Sequence, residues 1–439
     1  MTLPLLLSLL IVGLFLALRG VSAVRQSRRR SALQPKTGSS PGSPALEKEK
    51  VFGIAFEYPK VEPWTDFDVD HTKPVPLRPF RWGPTYPINM GIRPMPWDTW
   101  LELDSDYRKT LDIVSHRTRA QGEEVNRVMP GFRPQAFECL VEIASYLAIR
   151  YPHYFTVKRV KYDEQDESSW GDSLSGKEAG CIGVIENKIT GDVFDFAEIE
   201  KVEGKGWNPM RVAALLTEDD LAVMCEGTDG SICTAGFWRL KDKIGRSLDY
   251  IHSSGEVPGW PTKLKFSIER FFQKLKCDKP VQRYNYTFQI DDQVAWSNHT
   301  NGPEQIFDEA TKGPDPELLA QSNDPNWKAP QPATAVEEVW YRSERQTLRR
   351  MPKTGCILFT IRTYFHPVAE LAKEPGVPGR MASAIRSWPD EVRNYKTGHL
   401  YIPAILPGLD ERHAAQVAEG VVEMEEDGSG VRGAKGYPY

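Results

Sequence analysis

One histidine of this chain stands apart from the others by its sequence context. His252 follows Ile244, Leu248 and Ile251, whose spacing places three apolar side chains on one face of a helix. Its ring is expected at the edge of that buried face, immediately before a Gly/Pro turn at residues 255–259. This arrangement can hold a single imidazole rigidly against a pocket.

The sequence around His252 limits the chemistry that it can perform. No second histidine, cysteine or carboxylate stands at a metal-ligand spacing from it, so a zinc or non-haem iron site is poorly supported. Haem iron, in contrast, can be held by a single histidine. The alternative is a structural histidine at the C-terminal end of a helix, where a positive charge suits the helix dipole. Spacing alone favours this structural role.

A second unusual feature is a set of arginines in a predicted hairpin. The segments Val339–Arg350 and Cys356–Tyr364 have strand character and flank a turn. Side chains alternate along a strand, so Arg345 and Arg349 share one face, and Arg362 lies in the partner strand. Buried arginines are costly without anions. They are predicted either to bind carboxylate or phosphate groups, such as haem propionates, or to be ordinary salt-bridged arginines. The nearby glutamates are Glu337, Glu338 and Glu344.

The composition excludes several classes of protein. The 439 residues carry a net charge of −5, without the basic excess of a nucleic-acid-binding protein. Six scattered cysteines contain no CxxC pair, which argues against zinc ribbons, iron–sulfur motifs and a disulfide framework, and favours a reducing compartment. No GxGxxG after a strand, P-loop or GxSxG motif supports a nucleotide-binding or hydrolase hypothesis.

Hydrophobic periodicity predicts a mixture of strands and helices. An Asp-Gly turn joins the predicted strands Leu221–Glu226 and Ile232–Trp238. Further strands are predicted at Gly180–Ile185, Asp192–Ala197 and Arg283–Ile290. Helices are predicted at Asp104–Gln121, Arg133–Arg150, Pro209–Leu216, Thr262–Lys276, Val368–Lys373 and Arg380–Trp388. The proline- and aromatic-rich residues 52–97 are expected to wrap the domain as an extended arm.

The N-terminus predicts attachment to a membrane. Residues 1–24 are almost entirely apolar and long enough for a membrane helix, and arginines follow them but do not precede them. The positive-inside rule then puts the domain in the cytosol. The endoplasmic reticulum is the expected membrane by analogy with microsomal proteins that have a similar anchor. A cleaved secretory signal is the alternative, and only then would the sequons at Asn285 and Asn298 matter.

The remaining organisation follows from composition. Residues 25–50 are rich in Ser, Pro and charge and predict a disordered tether. Residues 51–408 are predicted to form the folded domain, with Gly302–Gln331 as a polar surface insertion. The acidic, Gly-rich residues 409–439 are expected to form a flexible tail.

Three blocks of sequence together resemble one known family. The first is Met90–Pro94 followed by Trp100–Asp104, the second runs from Phe237 to Gly259 through His252, and the third joins Glu344–Pro352 with Leu358–Tyr364. These blocks are similar to the haem-dependent oxidative N-demethylases, the alpha-subunit type of dimethylamine monooxygenase. The resemblance spans roughly residues 51–394, and the third block is its most specific part.

The resemblance implies an α+β fold, a PAS-like curved antiparallel sheet surrounded by helices. It implies a haem monooxygenase that activates O₂ and removes a methyl group from an amine as formaldehyde. Electrons would come from a separate flavin or iron–sulfur reductase, because this chain has no motif for either cofactor. By the same analogy His252 is the axial iron ligand, and Arg345, Arg349 and Arg362 are propionate or pocket residues.

Two features depart from the bacterial enzymes, which are soluble subunits. The apparent membrane anchor and the insertion at 302–331 suggest a different reductase, a different substrate, or both. Oxidation of another small organic molecule is then as plausible as amine demethylation. A non-catalytic haem- or ligand-binding PAS-like sensor is the alternative from another class, although the chain shows no fused output domain. A scaffold with a decayed haem site is a third hypothesis.

Overall fold

The arginine-rich hairpin forms the centre of a six-stranded antiparallel sheet in the computed structural model of the chain. The strand order is β1–β7–β10–β11–β5–β6. The strands of this sheet are β1 (Arg93–Pro94), β5 (Asp220–Glu226), β6 (Ile232–Phe237), β7 (Val281–Gln289), β10 (Trp340–Arg350) and β11 (Ile357–Pro367). The predicted α+β class with an antiparallel sheet is therefore confirmed.

The structure describes residues 58–161, 174–175, 179–199, 207–226, 232–237, 244–295, 297, 307–308, 313–314, 331–424 and 431–432. Within these ranges no helix combines the length and the apolar composition needed to cross a membrane. The anchor predicted at residues 1–24, the tether at 25–50, the Asp-Gly turn and most of the 302–331 insertion lie outside the described residues.

A smaller antiparallel sheet and two short hairpins complete the β-structure. The strands β2 (Phe155–Val160), β3 (Cys181–Asn187) and β4 (Asp192–Asp195) form a three-stranded sheet. The two-residue strands β8 (Phe307–Asp308) and β9 (Gly313–Pro314) pair with each other, as do β12 (Glu423–Met424) and β13 (Val431–Arg432).

Helices pack on both faces of the large sheet. They are α1 (Tyr107–Gln121), α2 (Arg133–Arg150), α3 (Pro209–Ala214), α4 (Leu248–Ser254), α5 (Lys265–Lys274), α6 (Val368–Leu371), α7 (Val377–Arg386), α8 (Asp390–Tyr395) and α9 (Ile402–Ala418). A π-helical turn, Trp260–Leu264, leads into α5. The predicted helix Arg133–Arg150 is correct to the residue, and residues 58–92 contain no regular element, as expected of an arm.

Two predicted boundaries differ from those of the structure. The helix that carries His252 does not include Ile244, because Gly245 has a φ of +74° and the Ser247 side chain caps α4 by accepting from Tyr250 N at 3.2 Å. The C-terminal tail does not begin at 409 either. Helix α9 continues to Ala418, because Leu409 is fully buried in the core beneath it.

Alternation along the strands divides the large sheet into two faces. In β5, Leu221 and Val223 enter a core formed with α2, whereas Met224 enters a separate core formed with α5. In β10, Leu348 belongs to that second core. The sheet therefore has helices on each side, and the side that faces α4 and α5 contains the cavity described next.

Candidate functional site

A cavity of about 470 Å³ lies between the large sheet and the helices α4, α5 and α8. Its floor is one face of β5, β7, β10 and β11, and the arm at residues 86–92 closes one side. The volume is in the range of small-molecule and cofactor sites. Most of the lining is aliphatic or aromatic and includes Met90, Met224, Ile268, Phe272, Leu348 and Phe359.

His252 is part of the cavity wall. Its Nδ1 lies 2.8 Å from the carbonyl oxygen of Leu248. A carbonyl can only accept, so Nδ1 carries the proton and Nε2 retains its lone pair in the neutral ring. An Nδ1–H bonded to a backbone carbonyl is the usual way in which a protein orients a metal-binding histidine.

An aromatic ring fixes the imidazole from one side. The Trp260 indole stacks on His252 with ring centroids 4.1 Å apart and planes inclined by 15°. Trp260 Nε1 donates to Asp249 Oδ1 at 2.9 Å, and Asp249 Oδ2 pairs with Lys265 Nζ at 2.9 Å. The imidazole is thus held by a backbone acceptor and by a stacked indole that is itself anchored.

The electrostatics of the cavity favour the neutral imidazole. Burial lowers the pKa of His252 below its usual 6.5, and the positive charge of Arg283 lowers it further. The hydrogen bond to Leu248 raises the pKa, but it does not outweigh the burial. Neutral histidine is the form that binds a metal ion.

One end of the cavity is polar and carries excess positive charge. Arg283 and Lys396 line it together with Glu344, the one carboxylate among the described lining residues. The Nε of Arg283 is buried and makes no hydrogen bond within the described part of the chain. Burial lowers the pKa of Lys396 to about 8, although the Lys396 ammonium donates to the Tyr286 carbonyl oxygen. Such a site suits an anionic group.

Comparison with protein-family models shows to which family the chain belongs. The model described as "haem-dependent oxidative N-demethylase, alpha subunit-like" matches residues 91–406, which is more than half of the 439 residues. The chain belongs to this family. The family name implies haem dependence and points to an oxidoreductase with oxidative N-demethylase-like activity. The resemblance found in the sequence blocks is therefore confirmed.

The cavity of this N-demethylase-like chain fits a haem in three respects. Its apolar walls suit a porphyrin, the Nε2 of His252 makes no hydrogen bond within the described residues, and the buried Nε of Arg283 likewise lacks a partner there. In the same described residues, no group of three or more His, Cys, Asp or Glu side chains is arranged to hold a metal ion. Iron in this cavity would need the porphyrin as well as the protein.

The structure does not bring the predicted arginines to His252. Arg345, Arg349 and Arg362 are absent from the cavity lining and lie on the opposite face of the sheet. Arg349 Nη2 is 2.5 Å from Glu142 Oε2, with both side chains fully buried. The guanidinium of Arg349 also lies 4.3 Å from the centroid of the Trp100 ring.

The other two arginines have buried partners of their own. Arg345 donates from Nε to Gln282 Oε1 at 3.1 Å. Arg362 Nη2 is 2.6 Å from Asp104 Oδ2 and 2.7 Å from Glu218 Oε1. The costly burial that the sequence indicated is thus compensated by carboxylates and carbonyls of the protein itself. These three arginines therefore do not line the cavity that His252 lines, and their assignment to a haem pocket stays a prediction.

Arg283 was missed, although the sequence contains a signal for it. Arg283 pairs in register with Gln346, and both side chains line the cavity. Alternation in β10 separates Arg345 from Gln346 and Leu348. The face with Gln346 and Leu348 is the one that faces α4, but alternation by itself does not show which face that is.

Proposed function

We propose that this protein is a haem-dependent oxidase that removes a methyl group from a small N-methylated amine. The observation that carries the proposal is the Nε2 of His252, held by the Nδ1–H bond to Leu248 in an apolar cavity. Family membership supports the haem and the oxidative demethylation.

The protein's own groups have separate roles in this proposal. His252 binds the iron through Nε2, and the stacked Trp260 keeps the ring from rotating. Arg283 and Lys396 bind the haem propionates at the polar end of the cavity. The aliphatic lining, with Met224 and Leu348, keeps bulk water away from the reaction. When bound, haem supplies the reductive activation of O₂ and the oxidation of the substrate C–H bond.

The overall reaction sets the partners that the protein needs. The N-methyl group, O₂, two electrons and two protons yield the demethylated amine, formaldehyde and water. Electrons have to come from a separate flavin or iron–sulfur reductase. The PAS-like arrangement of the sheet and a cytosolic position on the endoplasmic reticulum membrane, attached through residues 1–24, belong to the same proposal. The family resemblance supports the PAS-like arrangement, the charge pattern after residues 1–24 supports the cytosolic position, and analogy with microsomal haem monooxygenases supports the choice of membrane.

An absorption spectrum tests the proposal most directly. The full-length chain is produced with haem precursor and purified. We expect a Soret band that shifts on reduction with dithionite and again with carbon monoxide, as for haem with an accessible coordination position. Formaldehyde release from an N-methylated amine, with electrons supplied, then tests turnover. A folded chain that takes up no haem would refute the proposal.

Arg283→Leu should weaken haem binding without unfolding the protein. The buried guanidinium would lose the propionate as its partner, and loss of a charged hydrogen bond of this kind costs roughly tenfold in affinity. Haem affinity is measured by titration of the apoprotein. The control is Arg342→Leu, because Arg342 lies in β10 near Glu344 but does not line the cavity. Equal affinities of the two variants would contradict the role of Arg283.

The imidazole of His252 should titrate below pH 6.5 in the apoprotein. Its folded-state pKa is lowered, so the unfolded chain binds the proton more tightly. The contribution of His252 to stability is therefore present above pH 6.5 and decreases as the pH falls through the folded-state pKa. The midpoint is measured by NMR of the ring protons, and Arg283→Leu should raise it. A titration midpoint at or above pH 6.5 in the wild type would contradict the lowered pKa of His252.

A further inference from the structure

The outer surface of α5 combines an exposed aromatic ring with basic side chains. Leu264, Ile268 and Phe272 are buried and line the cavity. The opposite face of the same segment exposes Lys263, Phe266, Arg270 and Lys274, which we call the basic stripe. The spacing of four residues keeps Phe266, Arg270 and Lys274 on one face of α5, and Lys263 lies in the π-helical turn just before them.

The aromatic ring within the basic stripe is unusually exposed. Phe266 is 79% exposed, the highest value among the large exposed hydrophobic side chains of the described residues. An exposed aromatic side chain surrounded by charged groups is typical of a protein-binding surface, where the ring is the anchor and the charges guide the approach.

The charge of the basic stripe defines the kind of partner. Lys263, Arg270 and Lys274 form no ion pair with a carboxylate of the described residues. The chain as a whole has a net charge of −5, so this local positive surface differs in sign from the molecule that carries it. A complementary partner is an acidic protein, which such a surface attracts over a distance set by the ionic strength.

The basic stripe is also close to His252. A helix with its side chains is about 10 Å across, so only the width of α5 separates the stripe from the cavity. The π-helical turn that carries Lys263 begins with Trp260, whose ring is stacked on His252. A donor docked on the stripe would therefore be a short distance from the proposed iron ligand, and electron transfer through protein slows steeply with distance.

We infer that the basic stripe is the docking surface for an acidic electron-donor protein that carries a flavin or an iron–sulfur cluster. The inference rests on the proposed function. It adds to that function the surface at which the electron donor binds. One electron passes from the reduced donor to ferric haem at each encounter, leaving the donor oxidised and the haem ferrous, with no bond made or broken.

The test is the rate at which a reduced acidic [2Fe–2S] ferredoxin reduces the haem-loaded full-length chain, followed by stopped-flow absorbance at low salt. The variant combines Lys263→Glu, Arg270→Glu and Lys274→Glu. The matched control combines Lys109→Glu, Lys161→Glu and Lys188→Glu, which change exposed residues on α1 or next to β2 and β3 and make the same change in net charge outside α5. Calorimetry of oxidised ferredoxin with each protein gives a second measurement that does not depend on turnover.

The stripe variant should be reduced at least tenfold more slowly than the wild type, and the control within about twofold. Raising the salt concentration from ~0.05 M to ~0.5 M should lower the rate of reduction of the wild type towards the rate of the stripe variant. Dithionite should reduce all three proteins equally, which shows that the haem site is intact. Phe266→Ser should weaken ferredoxin binding without changing the salt dependence.

If ferredoxin reduced the stripe variant and the control equally slowly, the inference would be overturned, because the change in net charge would then explain both rates. A stripe variant that loses binding to phosphatidylserine vesicles but is reduced at the wild-type rate would also overturn it, since the stripe would then be a membrane contact. A chain without haem refutes the proposed function and this inference together. A haem-loaded chain whose reduction is insensitive to the stripe refutes only the docking surface.

Discussion

His252→Ala is expected to abolish retention of haem while the protein remains folded. His252 lines the cavity and is the proposed iron ligand, with its Nδ1 bonded to the Leu248 carbonyl oxygen. Mutations of groups that merely orient a metal ligand cost about 10- to 100-fold in affinity, so loss of the ligand itself should cost ~100-fold or more. The structural cost is small, because the half-buried ring contributes mainly its stacking on Trp260, about 1 kcal/mol.

Two controls make the result specific to the ligand. Added imidazole should restore the Soret band of His252→Ala, because a free imidazole can occupy the space of the deleted ring. His366→Ala should retain haem, since His366 is also half-buried but does not line the cavity. The measurements are the ratio of Soret to protein absorbance and circular dichroism. Full haem content in His252→Ala would remove His252 as the ligand.

Glu142→Ala is expected to be the most destabilising single change on the other face of the sheet. It leaves the Arg349 guanidinium buried without its carboxylate, 2.5 Å away in the wild type. Removal of one partner of a buried ion pair costs about 3–5 kcal/mol, because the remaining charge is uncompensated. The free energy of unfolding is measured by urea denaturation.

An exposed ion pair provides the matched comparison. Arg386 and Asp410 are about half-exposed, so Asp410→Ala should cost no more than ~1 kcal/mol. The double variant Glu142→Leu/Arg349→Met should recover most of the stability lost in Glu142→Ala, since two apolar side chains of suitable size replace both charges. Similar losses for Glu142→Ala and Asp410→Ala would show that Arg349 is solvated after the mutation.

The strand and helix pattern could be predicted because it depends on local periodicity. The strands Trp340–Arg350 and Ile357–Pro367 and the helix Arg133–Arg150 correspond closely to the apolar repeats of the sequence. Failures occurred where a single local feature ended an element, as at Gly245, or where a distant core extended one, as at Leu409.

The family was accessible from short blocks of sequence, since the residue types and their order are local information. The arginines were a different problem. Alternation separates Arg345 from Gln346, but it does not reveal which face of the sheet meets α4. That choice depends on contacts between residues far apart in the chain, such as Glu142 with Arg349 and Asp104 with Arg362. Tertiary packing alone brought Arg283, and not Arg345, to the cavity that contains His252.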